Sequence, residues 1–439
     1  MFKKTFHIAF QNQSILNLAY QFSHLPGLCL LYSGGNYASS SLSFLSIFPK
    51  KEILLESSNP WQNLHKKLTP HYWFGYLSYE MGAFSDEEKV LAYKKSDIPL
   101  GHFQRYLITI KFDSKSNLIE LFIDEECKTS LEEQKWVDRF LKLPDWLKEL
   151  QGYSLNSTMP CQLLKKMDFV DYEKKCKKIK EYILEGDVYQ VNLTHESIAK
   201  TALSPFLVFA RLAAKNPSPF SAYISHENYT IVSTSPERLL LKQGDFLQTK
   251  PIKGSIKRDE FTCDKKQENS LLTSIKDRAE LAMITDLARN DLGKLSEVNS
   301  IKTKPFLLEK YENIIHMLSE VNATAKKEIS PLEYLRALFP GGSITGCPKL
   351  RAQEIIFEIE KRARHVYTGS IGYLTPEQDF DFNIAIRTLL FQKEQVSIQL
   401  GGAIVADSTA QAEYYESLQK GMSIFQALNL DYRNEFCFS

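Results

Sequence analysis

The amino-acid sequence predicts an α+β fold with largely antiparallel sheets. Segments typical of strands and segments typical of helices cluster separately along the 439 residues, without the regular strand–helix alternation that gives parallel sheets. The pair Gly244-Asp245, flanked by two apolar runs, is typical of a hairpin between antiparallel strands. Several apolar-periodic segments follow a serine or an aspartate, which marks the start of a helix.

Short apolar runs between turns fill the first third of the chain. The apolar run at 28–32 and the aromatic run at 73–79 predict buried strands. The charged segment at 128–151 predicts a helix on the surface.

A polar stretch at 154–160, closed by a proline, predicts a linker. We therefore expect an N-terminal domain over 1–160 and a second domain over 161–439.

The second domain is expected to hold most of the regular structure. Asp171 is predicted to cap its first helix, and Gly186 to end that helix. Ser330 and Glu333 have the spacing of a capping box for a later helix. The other predicted elements are strands at 188–194, 222–224, 230–233, 238–242, 246–252, 366–373, 383–391 and 396–400, helices beginning at 204 and 348, and helices over 276–290 and 411–428.

The composition excludes several classes of protein. There are 54 Lys and Arg residues against 53 Asp and Glu residues, so the net charge of +1 offers no basic surface for nucleic acid. No segment reaches the roughly 18 apolar residues of a membrane helix, and we expect a cytoplasmic protein. Seven scattered cysteines without a Cys-x-x-Cys pair predict reduced thiols rather than disulfides or a zinc site.

Charged side chains on two predicted helices are candidates for a functional site. Glu416 and Lys420 are four residues apart and share a helix face, where an ordinary surface ion pair is the simplest interpretation. Glu280 lies on an apolar face, and a carboxylate placed inward needs a partner. If Glu280 and Glu416 met, they would need a cation, and a site made of oxygen atoms suits Mg²⁺.

Three further features each admit two interpretations. Lys253 ends an apolar strand beside Gly254, where a desolvated amine could be a nucleophile, although most lysines are solvated surface charges. His316 lies in an alternating strand, where a hydrogen-bonded core histidine is the commoner case. The glycine-rich run at 340–346 precedes a helix whose amino terminus could bind an anion, or it is a tight connection.

A series of motifs resembles the chorismate-utilising enzymes, in that family's order and over about 165 to 430. The longest motifs are DRAELAMITDLARNDLGK at 277–294 and PGGSITGCPKLRAQEII at 340–356. Shorter ones are SPERLLL, TKPIKGSIKR, HMLSEV, YTGSIGY, IRT, GGAIVADS and EYYESLQKG. The first third is similar to the matching region of anthranilate and aminodeoxychorismate synthases. This resemblance implies a two-subdomain sandwich with the active site between antiparallel sheets.

Two positions separate the subgroups of that family. Members that add water typically carry a lysine base where this chain has Gln190, and glutamine cannot act as that base. Anthranilate synthases usually carry alanine where this chain has Lys253, as aminodeoxychorismate synthases do. The resemblance therefore implies replacement of the C4 hydroxyl of chorismate by an amine, for 4-aminobenzoate and folate synthesis. The alternatives are anthranilate synthesis and a catalytically silent chorismate-binding subunit.

The resemblance also implies how the substrate is held. Glu280 and Glu416 would hold Mg²⁺ against the ring carboxylate, because the cation offsets the repulsion among three carboxylates. Lys420 would add positive charge at that end. The other implied substrate-binding residues are Tyr367 and Arg387, which match positions that grip the enolpyruvyl carboxylate, and Thr345, Gly346, Gly401 and Gly402, which complete the pocket.

The implied chemistry uses a covalent step. Lys253 would add at C2 while Glu237 protonates the leaving C4 hydroxyl, since hydroxide is a poor leaving group. Ammonia would then attack C4 and expel the lysine. Lys253 must be neutral to attack, so we expect burial or Mg²⁺ to lower its pKa. His316 matches a histidine near the ring, and its role is left open.

The chain departs from the family motifs at three small residues. Cys347 replaces an alanine, His365 replaces a glycine and Ala403 replaces a glycine, which affects the expected substrate contacts in detail. A pocket that binds tryptophan in related chains is resembled by four residues, for which packing between subdomains is the alternative. These are Ser33, Pro219, Phe220 and Ser221.

The expected partners follow from what the motifs lack. No cysteine lies in the Gly-x-Cys-Gly loop of a glutamine amidotransferase. We therefore expect ammonia to come from a separate glutaminase subunit, in a heterodimer, or from solution. A separate lyase is expected to convert the product into 4-aminobenzoate.

Overall fold

The predicted α+β class is confirmed. The structure, a computed structural model, describes residues 1–8, 10–35, 37, 39–56, 58–86, 88–166, 168–258 and 263–431. Across this part of the chain, the strand ladders are antiparallel and the helices pack against them. None of the helices in these ranges combines the length and the apolar character needed to cross a membrane.

The strands and helices follow one another along the chain as follows. The strands are β1 (Phe2–His7), β2 (Cys29–Tyr32), β3 (Leu42–Leu55), β4 (Trp73–Leu77), β5 (Gly101–Asp113), β6 (Leu118–Ile123), β7 (Cys161–Lys165), β8 (Gln190–Thr201), β9 (Phe220–Ser225), β10 (Thr230–Ser235), β11 (Arg238–Gln243), β12 (Phe246–Lys250), β13 (Ile252–Lys257), β14 (Lys302–Lys310), β15 (Ile314–Thr324), β16 (Gly346–Cys347), β17 (Ser370–Leu374), β18 (Phe380–Asn383), β19 (Thr388–Gln392) and β20 (Gln395–Ile404). The helices are α1 (Asn12–Tyr20), α2 (Pro60–Lys67), α3 (Leu131–Phe140), α4 (Leu143–Glu149), α5 (Phe169–Leu184), α6 (Pro205–Lys215), α7 (Asp264–Thr273), α8 (Ile275–Gly293), α9 (Pro331–Leu338), α10 (Lys349–Glu360), α11 (Ala410–Lys420) and α12 (Met422–Ala427), with short 3₁₀ turns at Tyr79–Phe84 and Gly342–Ile344.

Strand β5 is the centre of the N-terminal sheet. It pairs with β3, β4 and β6, and it is buried on both faces. The two faces belong to different apolar clusters, because Phe103 packs in the main core and Tyr106 in a second, smaller cluster. The sheet is therefore covered on both sides, as in a sandwich.

Two pairings join the N-terminal strands to strands of the second predicted domain. In one, Cys29 of β2 lies opposite Ile224 of β9. In the other, Gly75 of β4 lies opposite Gly372 of β17. The stretch 150–160 has no regular structure, and the division of the chain at residue 160 stays a prediction.

One predicted helix cap, Asp171, is wrong, and the other, Ser330, is at the predicted position but makes no side-chain capping hydrogen bond. Helix α5 begins earlier than predicted, and its cap is Asp168 rather than Asp171, because a carboxylate oxygen of Asp168 accepts the N–H of Val170 at 3.0 Å. Ser330 precedes α9 but its side chain makes no capping hydrogen bond. Its hydroxyl lies instead 3.3 Å from Nδ1 of His65.

Two predicted elements are divided in the structure. The helix expected over 411–428 is interrupted at Gly421, where an added Cβ would lie 2.4 Å from a methyl carbon of Leu400. The strand expected over 383–391 corresponds to the end of β18 and to β19, with a turn between them.

The candidate site lies near two strand pairs and the two helices that pack on them. Strand β20 pairs with β8, and α11 packs over β20. Strand β13 pairs with β15, and α8 packs over both. Charged residues from α8, α11 and β13 therefore come together although they are far apart in sequence.

Candidate active site

Lys253 is held within ion-pair distance of Glu280. Its side chain is 13% exposed, and Nζ lies 3.7 Å from Oε2 of Glu280 on α8. Gly254 follows with a φ of +81°, and a Cβ there would approach the side chains of Asp277 and Leu271 to 3.0 Å. Glycine therefore lets β13 come close to α8, which brings the amine to the carboxylate.

The surroundings of Lys253 favour a neutral amine. Burial lowers the pKa of Lys253 from its ordinary value, and the positive charge of Lys420 adds to this effect. The negative charges of Glu280, Glu237 and Glu416 oppose it. This is the direction that a nucleophilic amine requires.

A second lysine joins the acidic groups on the two helices. Nζ of Lys276 lies 3.2 Å from Glu413 and 4.0 Å from Glu280. Glu413 is 3% exposed and also accepts a hydrogen bond from the hydroxyl of Ser408 at 2.8 Å. The acidic groups of α8 and α11 thus share one cation.

Glu416 and Lys420 lie at the mouth of this cluster. They form the predicted i,i+4 ion pair at 2.8 Å, with side chains 51% and 47% exposed. Burial acts to raise the pKa of Glu416, but the charge of Lys420 and its hydrogen bond hold it below the ordinary value. A Cβ on Gly402 would lie 3.6 Å from Glu413 and 3.8 Å from Nζ of Lys420, so this glycine faces the charged groups.

The carboxylates of Glu280 and Glu416 fit a hard cation by their chemistry. Both act electrostatically on Lys253 and on Lys276, so they lie around a common space. Lysine amines balance their charge in this structure, and oxygen donors of this kind are those that Mg²⁺ prefers.

A different cluster of possible metal ligands is more compact, but an arginine already neutralises its carboxylates. Within the ranges that the structure describes, His71, Asp124 and Glu126 are the group whose potential ligand atoms all lie within 4.8 Å. The guanidinium of Arg105 already occupies it, with Nη2 2.7 Å from both carboxylates. This group is an internal ion-pair network.

Glu237 is a buried carboxyl between β10 and β11. It is 2% exposed, and burial raises its pKa to about 7. Oε1 accepts the hydroxyl of Ser343 at 2.7 Å and the N–H of Ile252 at 3.2 Å. A carboxyl that keeps a proton near neutral pH can donate it to a leaving group.

His316 is buried and Arg387 is partly buried, and both have polar atoms without a hydrogen-bond partner among the described residues. The hydroxyl of Ser255 lies 2.5 Å from Nδ1 of His316, whereas Nε2 has no hydrogen-bond partner among the described residues. Burial lowers the pKa of His316 well below its ordinary value, so the ring is neutral. Arg387 has a φ of +51°, burial lowers its pKa, and no hydrogen bond or ion pair joins its guanidinium to the described part of the chain.

Two of the predicted pocket residues, both glycines, lie where strands come very close. Gly346 has a φ of +142°, and a Cβ there would lie 2.2 Å from the carbonyl oxygen of Gln190. A Cβ on Gly401 would lie 2.5 Å from the carbonyl oxygen of Leu193. The hydroxyl of Thr345 and both amide atoms of Gln190 are buried without a partner in the described ranges, so this corner holds unused polar atoms.

The local surroundings of Tyr367 and of the three departures are as follows. Tyr367 is buried beside Arg364, and burial raises its pKa. His365 has a φ of +55°, which explains a glycine in related chains, and its Nδ1 lies 2.7 Å from the hydroxyl of Ser96. Cys347 pairs with Gln190 across β16 and β8. Ala403 lies in β20, opposite Asn192 of β8.

The predicted tryptophan pocket corresponds to a cavity of about 370 Å³, its open mouth included. Pro219, Phe220 and Ser221 line it. The hydroxyl of Ser33 donates to the carbonyl of Ser40 at 3.0 Å, so it is engaged within its own loop. Occupation by tryptophan stays a prediction.

Most predicted charged residues meet, and three contributors were missed. The charges of Glu280, Glu416, Lys420 and Glu237 all act on Lys253. The missed residues had simple spacing or a motif in their favour: Lys276 lies one helical turn before Glu280, Glu413 lies one turn before Glu416, and Ser343 lies within the glycine-rich loop.

Comparisons with known proteins show the family of this chain. The model of the family described as chorismate binding enzyme matches residues 37–426. Aminodeoxychorismate synthase component 1 of Bacillus subtilis (strain 168) is 30% identical over 90% of this chain and 90% of its own length. The protein of that name from Escherichia coli (strain K12) is 41% identical over 58% of this chain and 57% of its own length. The crystal structure of anthranilate synthase component I from Streptococcus pneumoniae TIGR4 superposes with a TM-score of 0.75 at 27% identity, covering 89% of this chain and 93% of that one.

Proposed function

This chain belongs to the family of chorismate binding enzymes, and we propose that it is the chorismate-aminating subunit of an aminodeoxychorismate synthase. It would convert chorismate and ammonia into 4-amino-4-deoxychorismate and water, in the synthesis of 4-aminobenzoate for folate. The observation that carries the proposal is the largely buried amine of Lys253, 3.7 Å from Glu280 and close to Glu237, a carboxyl whose pKa burial raises to about 7. Two relatives that carry this activity in their names support the assignment.

Positive charge in the site would bind the substrate dianion. Arg387 has no protein partner in the described ranges, so its guanidinium can bind a substrate carboxylate with two parallel hydrogen bonds. Glu280 and Glu416 would hold Mg²⁺, which supplies the positive charge that faces the second carboxylate. Lys420 adds a further positive charge at that end.

The first chemical step forms a bond between the Lys253 nitrogen and C2 of the ring. The ring double bond shifts as the C4–oxygen bond breaks, and Glu237 gives its proton to the departing hydroxyl, which leaves as water. The enzyme is then a secondary ammonium at Lys253 with an ionised Glu237. A neutral amine is required at the start, which the lowered pKa of Lys253 favours.

The second step restores both residues. Ammonia attacks C4, the double bond shifts back, and the bond between C2 and Lys253 breaks, so that the lysine leaves as a neutral amine. The new C4 ammonium gives one proton to the Glu237 carboxylate. Atoms and charge balance, and the enzyme returns to its starting state.

The proposal is tested by mass spectrometry of the product from chorismate, Mg²⁺ and ammonium. We expect 4-amino-4-deoxychorismate, which an added lyase converts into 4-aminobenzoate. Anthranilate and pyruvate would instead assign the chain to anthranilate synthesis. Chorismate binding without turnover would assign it to a silent subunit.

The covalent step is tested with Lys253→Ala and with Lys257→Ala as the matched control on the same strand. Lys257 is exposed at the far end of β13. We expect Lys253→Ala to lose the large majority of ammonium-dependent turnover, whereas Lys257→Ala retains it. Full activity in Lys253→Ala would exclude the nucleophile role.

The proposed partners are a glutaminase subunit that supplies ammonia and a separate lyase that consumes the product. The relatives' names describe a first component, which supports a second one. We expect the isolated chain to use ammonium and not glutamine. Turnover of glutamine by the isolated chain would contradict the need for a glutaminase.

A further inference from the structure

Ser343 makes a short hydrogen bond to the buried carboxyl that the proposed function uses as its acid. Its hydroxyl donates to Oε1 of Glu237 at 2.7 Å, and the two residues are 6% and 2% exposed. Ser343 comes from the 3₁₀ turn in the glycine-rich loop, 106 positions along the chain from Glu237. The contact therefore joins two segments that are distant in sequence.

The same oxygen of Glu237 accepts a second hydrogen bond. The N–H of Ile252, next to Lys253, lies 3.2 Å from Oε1. A backbone N–H can only donate, so a proton on Oε1 would point at the N–H proton of Ile252 and repel it. With both acceptor positions of Oε1 in use, the carboxyl proton belongs on Oε2, which makes no hydrogen bond with the described residues.

We propose that Ser343 is a positioning residue that holds Oε1 of Glu237, so that the transferable proton stays on Oε2 and is available to the leaving hydroxyl. The inference rests on the proposed function for the identity of that hydroxyl. Ser343 does not touch the substrate in this proposal. It acts through Glu237 alone.

The neighbouring cavity decides which variants are informative. Ser343 and Glu237 both line a cavity of about 330 Å³, its open mouth included. In Ser343→Ala, a water molecule from this cavity could take the place of the hydroxyl. Ser343→Cys fills most of the space with a weak donor, and Ser343→Thr keeps the hydroxyl.

The expected results separate positioning from packing. The hydrogen bond from Ser343 favours the charged carboxylate, so its loss in Ser343→Cys should raise the pKa of Glu237 by about one pH unit. Turnover with ammonium should fall about tenfold or more, because the general acid contributes about 100-fold or more. Ser343→Thr should restore both properties toward those of the unmodified chain.

Two measurements on the full chain test this. Infrared difference titration follows the band of the protonated Glu237 carboxyl, which is identified by its disappearance in Glu237→Gln. The pH profile of turnover has a limb that is assigned to Glu237 by the same variant, and it shows whether the pH of that limb rises. Ser46→Ala, in which the lost hydroxyl faces Thr109 in the N-terminal sheet, is the control. A lower rate with an unmoved band and an unmoved limb in Ser343→Cys would overturn the proposal.

The infrared titration also separates this inference from the proposed function. If chorismate gave no product in any variant, the proposed function would fail. A shifted Glu237 band in Ser343→Cys would still support the Ser343 contact as the group that sets this carboxyl. An unshifted band would reject that contact as well.

Discussion

Two arginines of the second predicted domain, Arg364 and Arg387, differ in what surrounds them. Arg364 is 1% exposed, and it donates to Glu360 through Nε and Nη2 and to the backbone carbonyls of Ile344 and Asn192. Arg387 is only partly buried, and its guanidinium has no hydrogen bond or ion pair to the described residues. A charge that is partly removed from water without a partner is unfavourable, so a bound anion would stabilise Arg387.

The carboxylates repeat this difference. Burial acts to raise the pKa of Glu360, but the charges of Arg364 and Arg362 hold it below its ordinary value. The positive charge that acts on Glu237 is that of Lys253, and burial nevertheless raises the pKa of Glu237 to about 7. Full pairing, as in Arg364 and Glu360, is therefore expected of groups that stabilise the fold. Incomplete pairing, as in Arg387 and Glu237, is expected of groups that are available for substrate binding and proton transfer.

The largest effect is expected from Arg364→Met. This change would leave Glu360 charged and buried without its main partner, which costs about 3–5 kcal/mol in the free energy of unfolding. Urea denaturation measures it, and Arg364→Met with Glu360→Gln should regain part of the loss. A stability equal to that of the unmodified chain would show that the paired arginine is not a structural anchor.

The matching change, Arg387→Met, should affect activity rather than stability. If Arg387 binds a substrate carboxylate as proposed, loss of its charge is expected to lower kcat/KM for chorismate by about 100-fold or more. Because the arginine has no partner in the described ranges, the free energy of unfolding should stay the same or rise. Steady-state kinetics and urea denaturation of the same preparation test both parts. A large loss of stability would remove the distinction between the two arginines.

Local sequence patterns predict much of the fold but not how its distant parts meet. The hairpin at Gly244-Asp245 and the helix over 276–290 are present because turn residues and apolar spacing act within a few positions. The pairings of β2 with β9 and of β4 with β17 depend on tertiary packing. No local pattern contains that information.

The candidate site shows the same limit. Family motifs identify Lys253, Glu280 and Glu416, since their residue types and order are distinctive. The contact between Ser343 and Glu237 could not be predicted, because hydroxyl and carboxyl come from separate segments and only the folded chain brings them to 2.7 Å. The bonding state of Arg387 likewise depends on what surrounds it.

The variant Glu237→Gln tests whether the incompletely paired carboxyl of Glu237 makes the free energy of unfolding depend on pH. The pKa of Glu237 is raised from 4.5 to about 7, so the folded chain keeps a proton that the unfolded chain loses, and stability falls as pH rises through that window. Glutamine removes this dependence and can still accept the hydrogen bonds of Ser343 and Ile252. The variant should therefore gain about 2–3 kcal/mol in the free energy of unfolding above about pH 7 and little near pH 4.

Denaturation of both chains at about pH 5 and about pH 8 measures that gain. The difference between them must grow with pH if Glu237 carries a raised pKa. A difference that is equal at the two values would mean that Glu237 is ionised in the folded chain throughout.

The smallest effect is expected from Lys420→Met, which tests whether the contrast extends to the exposed mouth of the site. Its ion pair with Glu416 is about half exposed on both sides, and such pairs contribute less than about 1 kcal/mol to stability. Stability should therefore change little, while KM for chorismate rises because a positive charge near the dianion is lost. Lys178→Met is the matched control, since Lys178 forms a similarly exposed pair with Glu358 and should leave KM unchanged. If Lys420→Met and Lys178→Met changed KM equally, the difference between paired and unpaired charges would apply only to the buried part of the site.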